Sequence, residues 1–192
     1  MELQSHYTYL SIADYQRLEE ETQQKYEYHD GEVFAMAGAD LKHNAISGNA
    51  IAELNRALRK EECNVFTSDQ KVRIDAVNRF LYPDVSVTCG SVERSEKDTK
   101  AIINPILLIE VLSDSTESYD RGDKFALYSK LPSLQEYVLV QQHRPAVQIY
   151  YRATNTDLWQ ITWIEGLAET IRLQSVEAEL SVQELYLKTD RL

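Results

Sequence analysis

The chain has 192 residues, of which 43% are apolar, and this is enough to fill the core of one compact domain. Its 31 acidic residues outnumber its 20 basic residues, so the formal net charge is −11. This balance excludes a protein held to nucleic acid or to an anionic membrane by overall charge alone. With six glycines and four prolines, the composition also excludes collagen-like, low-complexity and disordered chains.

The charges are unevenly distributed along the chain. Residues 1–40 carry nine acids and two bases, whereas residues 41–130 carry 14 acids and 13 bases. The middle segment therefore holds most of the basic residues and permits a locally basic face, which the net charge hides.

The N-terminal segment lacks the basic flank and apolar stretch of a secretory leader. No window reaches the roughly 18 uninterrupted apolar residues of a membrane span, so we expect a cytoplasmic protein without a membrane partner. Cys63 and Cys89 lack C-x-x-C spacing, which argues against a zinc site. In a reducing cytosol we expect them to be two separate, half-buried thiols without a role.

The first half of the chain predicts two helices and four extended elements. Ser11 begins a short capped helix over residues 11–20, and Asp30-Gly31 is typical of a tight hairpin turn. Apolar residues spaced by four predict an amphipathic helix from about His43 to Lys60. Single strands are then expected over residues 64–74 and 80–88.

The second half predicts the centre of a sheet and an antiparallel extension. Residues 106–112 are almost continuously apolar, as in a strand covered on both faces. A helix is expected from Tyr119 to Leu131, where Pro132 stops it. Strands follow over 135–141, 147–152 and 159–164, with a short strand near 170–173 and a helical turn at 182–187. The order of elements predicts one α/β domain over residues 1–192.

Two acids lie where a carboxylate is costly. Glu110 interrupts an apolar strand, and its charge must be paired, protonated or metal-bound because burying it alone costs several kcal/mol. Asp84 follows Pro83 on a strand expected beside the Glu110 strand. Together the two carboxylates predict a site for Mg²⁺ or Mn²⁺, which suits phosphodiester cleavage. Alternatively, Asp84 caps a turn and Glu110 pairs with a buried base.

Asp120 and Lys124 are spaced by four on the predicted helix. They form either an ordinary acid-to-base pair along the helix or, if the helix packs over the Glu110 strand, an arrangement that places the Lys124 ammonium beside the metal.

Several segments, taken in order, resemble the bacterial Uma family of restriction-endonuclease-like proteins. They are YEYHDGEV from Tyr26, His43 at a helix start, PDVSV from Pro83, PILLIEVLS from Pro105, YDRGDKFALY from Tyr119 and LQEYVLV from Leu134. The resemblance covers about residues 10–185. It implies the fold of the PD-(D/E)xK nuclease superfamily: a mixed sheet flanked by helices, here with an N-terminal hairpin and antiparallel C-terminal strands.

The resemblance also implies roles for single residues. The superfamily's two metal-binding acids fall on Asp84 and Glu110, with Glu27 as a further acid. The lysine expected two residues after the second acid is replaced by Leu112. Lys124 is its natural substitute on a neighbouring helix, with Asp120 as partner. His43 either assists at the site or merely caps its helix.

The resulting hypothesis is an endonuclease that uses Mg²⁺ or Mn²⁺ to hydrolyse DNA. The alternative is an inactive DNA-binding or regulatory protein with the nuclease fold, which the missing strand lysine and the net charge favour. Aromatic residues near the C-terminus either cover the sheet or form an apolar surface for a homodimer; they are Tyr150, Tyr151, Trp159 and Trp163.

Overall fold

The computed structural model describes residues 9–36, 38–114, 116–153 and 156–192. The N-terminal segment from which no leader is predicted lies outside these ranges. Within them, no helix is long and apolar enough to cross a membrane. The cytoplasmic location and the single domain over residues 1–192 stay predictions.

The N-terminal elements confirm the helix, hairpin and second helix expected from the sequence. They are α1 (Ile12–Thr22), β1 (Tyr26–His29), β2 (Glu32–Ala35) and α2 (Leu41–Ala57). The Ser11 side chain caps α1 by accepting a hydrogen bond from the Asp14 N–H. Asp30 and Gly31 turn the hairpin with φ angles of 51° and 106°, in the left-handed region that Asp-Gly turns adopt.

The two single strands predicted over 64–74 and 80–88 are wrong, because each is divided into two. The observed strands are β3 (Cys63–Thr67), β4 (Val72–Ile74), β5 (Arg79–Leu81) and β6 (Val85–Cys89). A turn closed by the Gln70 N–H on the Thr67 carbonyl separates β3 from β4. Pro83, which lacks an N–H, stands between β5 and β6.

The second half of the chain contains the remaining elements. They are β7 (Leu107–Leu112), α3 (Glu117–Tyr119), a π-helical turn (Asp120–Lys124), α4 (Phe125–Tyr128), β8 (Glu136–Gln141), β9 (Ala146–Arg152), β10 (Trp159–Glu165), β11 (Thr170–Leu173), β12 (Ala178–Ser181) and α5 (Val182–Leu185). The predicted helix after β7 is therefore confirmed in a modified form, and β12 was missed.

Strand pairing confirms the predicted mixed sheet. The main sheet has the order β10-β9-β8-β7-β6-β3, in which β7 and β8 are parallel and the other neighbours are antiparallel. All six residues of β7 are buried, as expected for an inner strand. A smaller sheet has the order β2-β1-β5-β4, and β11 pairs with β12.

The two faces of β7 pack against different layers. Ile109 and Val111 belong to the apolar cluster that includes Ile46 and Leu54 of α2. Leu108 and Leu112 belong to a second cluster with α4, on the opposite face. Because side chains alternate along a strand, Glu110 also points to this second face.

Cys63 and Cys89 form a disulfide, so the expectation of two separate thiols is wrong. They lie directly opposite each other in the antiparallel pair of β3 and β6. Cross-strand neighbours have Cβ atoms close enough for a sulfur–sulfur bond. The bond fastens β3, the outer strand of the main sheet, to the strand that follows Asp84.

We expect the Cys63→Ser/Cys89→Ser double variant to unfold with a free energy about 3 kcal/mol lower than the oxidised protein. The bond closes a loop with a sequence separation of 26, and its loss restores conformational entropy to the unfolded chain. Urea denaturation measures the difference. The wild type in reductant should match the variant, and equal stability of the oxidised wild type and the variant would contradict the prediction.

Candidate active site

Glu110 is the centre of a buried polar cluster between the main sheet and the π-helical turn. Its side chain is 4% exposed. Oε1 accepts hydrogen bonds from Lys124 Nζ at 2.9 Å and from the Tyr128 hydroxyl at 3.1 Å. Oε2 accepts one from the Asp84 N–H at 3.3 Å. The Glu110 carboxylate, which is costly to bury in an apolar strand, thus receives hydrogen bonds from three donors.

Asp84 lies beside Glu110 because β6 and β7 are antiparallel neighbours, with Val85 opposite Ile109. Its Oδ2 accepts a hydrogen bond from the Val111 N–H at 2.8 Å and lies 3.1 Å from His43 Nε2. The carboxylate therefore bridges two strands and α2 rather than capping its own turn. Its side chain remains 17% exposed, so solvent or a ligand can reach it.

His43 reaches Asp84 from the first turn of α2. Asp40 caps this helix by accepting the His43 N–H at 2.9 Å, which fixes where the helix begins. Burial alone would lower the pKa of His43. The hydrogen bond and charge of Asp84, together with the charge of Asp40, outweigh burial and raise that pKa above its ordinary value.

Lys124 projects from the π-helical turn toward three carboxylates. Its Nζ lies 2.9 Å from Glu110, 3.2 Å from Asp120 Oδ1 and 3.8 Å from Glu27 Oε1. Burial disfavours the ammonium, but Glu110 and the other negative groups outweigh it and raise the pKa of Lys124 well above its ordinary value. The helix does pack over the Glu110 strand, and the Asp120–Lys124 pair is buried rather than on the surface.

Glu27 closes the cluster from β1. Its Oε2 lies 3.3 Å from His29 Nε2 and accepts a hydrogen bond from the Tyr119 hydroxyl at 3.4 Å. Burial would raise the pKa of Glu27. The His29 contact and the Lys124 charge reverse this effect, so the pKa lies below its ordinary value.

The structure brings all six sequence-predicted site residues into one cluster, and it adds three that sequence reasoning missed: His29, Tyr119 and Tyr128. Two of these had a sequence signal. His29 is two residues from Glu27 in a predicted hairpin, so both side chains share a face. Tyr128 follows Lys124 by four residues in a predicted helix and lies on the same side.

The carboxylates of the cluster are the candidate ligands of a divalent cation. In the described ranges, no group of three or more His, Cys, Asp or Glu is arranged to hold a metal ion. Mg²⁺, however, is usually bound by one or two carboxylates and completes its shell with water and substrate phosphate. Asp84 and Glu110 are two adjacent hard-oxygen donors, one of them partly exposed, and they fit such an open site.

The chain is similar to several known proteins. A family model described as "Uma2: Putative restriction endonuclease" matches residues 12–186. Two Synechocystis proteins are similar to the chain. "Uncharacterized protein slr1290" is 36% identical over 92% of this chain and 91% of its own length. "Uncharacterized protein sll1609" is 32% identical over 82% of this chain and 88% of its own length.

A solved structure has a similar fold. It is the crystal structure of "a putative nuclease belonging to DUF820" from Anabaena variabilis, with a TM-score of 0.72. The alignment covers 92% of this chain and 97% of that chain, at 19% identity. At this identity the likeness supports the fold alone, and it agrees with the mixed α/β architecture expected from the sequence.

We expect Lys124→Met to lower the free energy of unfolding by about 3–5 kcal/mol, because it leaves the Glu110 carboxylate buried without its cation. Urea denaturation at pH 7 measures the loss. Glu110→Gln/Lys124→Met removes both charges and should recover much of it. A double variant no more stable than Lys124→Met would contradict this pairing.

We expect the pKa of His43 in the metal-free protein to lie above its ordinary value of 6.5 and to fall in Asp84→Asn. Because the folded-state pKa is raised, the pair's contribution to stability is complete below about pH 6.5. It is lost as the pH rises through the folded-state pKa. An NMR titration of the imidazole protons measures both values, and an unchanged pKa in Asp84→Asn would contradict the prediction.

Proposed function

The chain belongs to the Uma2 family, described as "Putative restriction endonuclease", and we propose that it is a metal-dependent endonuclease that hydrolyses phosphodiester bonds in DNA. Family and fold support nuclease chemistry on nucleic acid. The cation, DNA as the substrate and the roles of single residues belong to the proposal.

One observation carries the proposal: an acid in β7, an acid directly before β6 and a lysine on the π-helical turn meet in one polar cluster that is most open at Asp84. Asp84 and Glu110 are linked through the Asp84 N–H, and Lys124 contacts Glu110 at 2.9 Å. In this proposal Lys124 takes the role of the strand lysine, because Leu112 stands at that position of the superfamily motif.

Asp84 and Glu110 would hold Mg²⁺ or Mn²⁺, and a cation bound there polarises a phosphate oxygen and favours ionisation of a bound water. The Val111 N–H and His43 keep Asp84 oriented. Because its pKa is raised, Lys124 stays an ammonium at neutral pH, and its Nζ donates a hydrogen bond to Glu110. It therefore serves to orient the attacking water and to stabilise charge that develops on the phosphate.

The overall charge of the chain fits this cation requirement. A protein with a net charge of −11 repels a phosphate backbone unless the acids at the point of contact are neutralised. Asp84 and Glu110 would hold a divalent cation, which would offset their charge and give the substrate phosphate a positive partner. We therefore expect DNA to bind weakly when the cation is removed.

The alternative function is an inactive DNA-binding or regulatory protein with the nuclease fold. One observation favours it: Lys124 already neutralises Glu110, and the described part of the chain contains no cluster of three or more potential metal ligands. A protein of this kind would bind neither Mg²⁺ nor Mn²⁺ tightly and would leave DNA intact.

Self-association stays a prediction. The aromatic residues near the C-terminus divide between its two interpretations, because Tyr150 is buried in the core while Trp163 is 52% exposed on β10. The strand β10 is the other outer strand of the main sheet, at the edge opposite β3, and Ile161 is exposed beside Trp163. Of the predicted homodimer surface, Trp163 is exposed, whereas Tyr151 and Trp159 are half-buried.

We expect Mg²⁺ or Mn²⁺ to support nicking of a supercoiled plasmid, and Asp84→Asn, Glu110→Gln and Lys124→Met each to reduce the rate about 100-fold or more. The amide substitutions keep the side-chain size and remove a metal-binding charge. Glu179→Gln, at an exposed position on β12, is the matched control and should cut at the wild-type rate.

Undiminished cutting by Asp84→Asn and Glu110→Gln would overturn the site. A wild-type protein that binds DNA but cuts neither double- nor single-stranded substrates with either cation would favour the inactive alternative. Purification of the variants through identical steps guards against a contaminating nuclease.

A further inference from the structure

His29 and Tyr119 meet at one oxygen of Glu27. His29 Nε2 is 3.3 Å from Glu27 Oε2, and the Tyr119 hydroxyl is 3.4 Å from that oxygen and 3.4 Å from His29 Nε2. These two side chains and the carboxylate form a closed triangle of polar contacts. Oε2 thus has two partners on the side away from Lys124, which approaches the other oxygen.

The two rings are held in place by packing from separate parts of the fold. His29 packs against Phe34 of the paired strand β2, with ring centroids 4.7 Å apart. It also stacks on Tyr119 of α3, with centroids 6.4 Å apart and planes at 24°. The hairpin and the helical segment therefore fix the triangle jointly, and neither ring can turn without losing an aromatic contact.

The geometry orients the Glu27 carboxylate. With Oε2 held by the two rings, Oε1 is turned toward Lys124 Nζ, 3.8 Å away, which is too far for a hydrogen bond. The Tyr119 ring lies beside the same ammonium, with Nζ 5.8 Å from its centroid. Glu27 therefore lies close to the Lys124 ammonium without joining the hydrogen-bonded Glu110–Lys124 pair.

We infer that His29 and Tyr119 are positioning residues that hold the Glu27 carboxylate beside Lys124, outside the Asp84–Glu110 cation site, where its negative charge favours cation binding without ligating the cation. The inference rests on the proposed function, because only a cation at that site gives Glu27 this task. Groups outside the ligand shell of a metal commonly affect metal affinity about 10- to 100-fold. His29 and Tyr119 act in this way through Glu27 and touch no reacting atom.

The test is a double-mutant cycle read by Mn²⁺ calorimetry on the full chain. His29→Phe and Tyr119→Phe keep an aromatic ring and remove the polar contact with Glu27. Each should weaken Mn²⁺ binding about 10-fold in the wild-type background and have no further effect in Glu27→Gln. His29→Gln keeps a donor at similar reach and should retain most of the affinity.

Tyr26→Phe is the matched control. It removes a hydroxyl from the strand that carries Glu27, but this hydroxyl contacts Gln24 and not Glu27. Unchanged affinity in both His29→Phe and Tyr119→Phe would overturn the inference. An equal loss of Mn²⁺ affinity when these substitutions are made in the Glu27→Gln background would also overturn the inference, because it would mark a general disturbance of the fold. A wild type that binds no Mn²⁺ would instead overturn the proposed function and, with it, the premise of the inference.

Discussion

The fold is organised around a single costly interaction, the burial of the Glu110 carboxylate in the central strand. A charge in that position is tolerated only when other groups replace the water it has lost. Lys124, Tyr128 and the Asp84 N–H supply that replacement from a helix and from a neighbouring strand. Burial raises the pKa of Glu110, and the Lys124 ammonium opposes this effect. The π-helical turn, the β6–β7 register and the start of α2 are all needed to keep this centre satisfied.

The charges of the centre do not cancel. Lys124 is an ammonium among the carboxylates of Glu27, Glu110 and Asp120. Asp84 adds a further acid, which His43 contacts. A cluster with more acids than bases, closed to bulk water on most sides and open at Asp84, attracts a cation. The acid excess of the chain is therefore of two kinds, because part of it is dispersed over the surface and part is concentrated where a cation offsets it.

The sequence was informative where an element's own residues determine its structure. The apolar run around Glu110, together with Pro83-Asp84 at the start of the preceding strand, was enough to predict that the two carboxylates are neighbours. The sequence was uninformative where the alignment of two distant elements determines the structure. The Cys63–Cys89 bond depends on the register of β3 against β6, and the Glu27–His29–Tyr119 triangle depends on how a hairpin meets a helix. The break within 64–74 was missed because its polar turn is short and both halves are apolar.

The order in which the site residues occur along the chain has a consequence for synthesis on the ribosome. Glu27 leaves the ribosome early, and Lys124 follows almost a hundred residues later. The strand that pairs in parallel with β7 follows only at Glu136–Gln141. Until that strand is made, β7 lacks its parallel neighbour, and contacts between distant residues form late in folding. An incomplete chain therefore holds the acids but not the centre, so whatever chemistry the centre performs is withheld until most of the protein has been made.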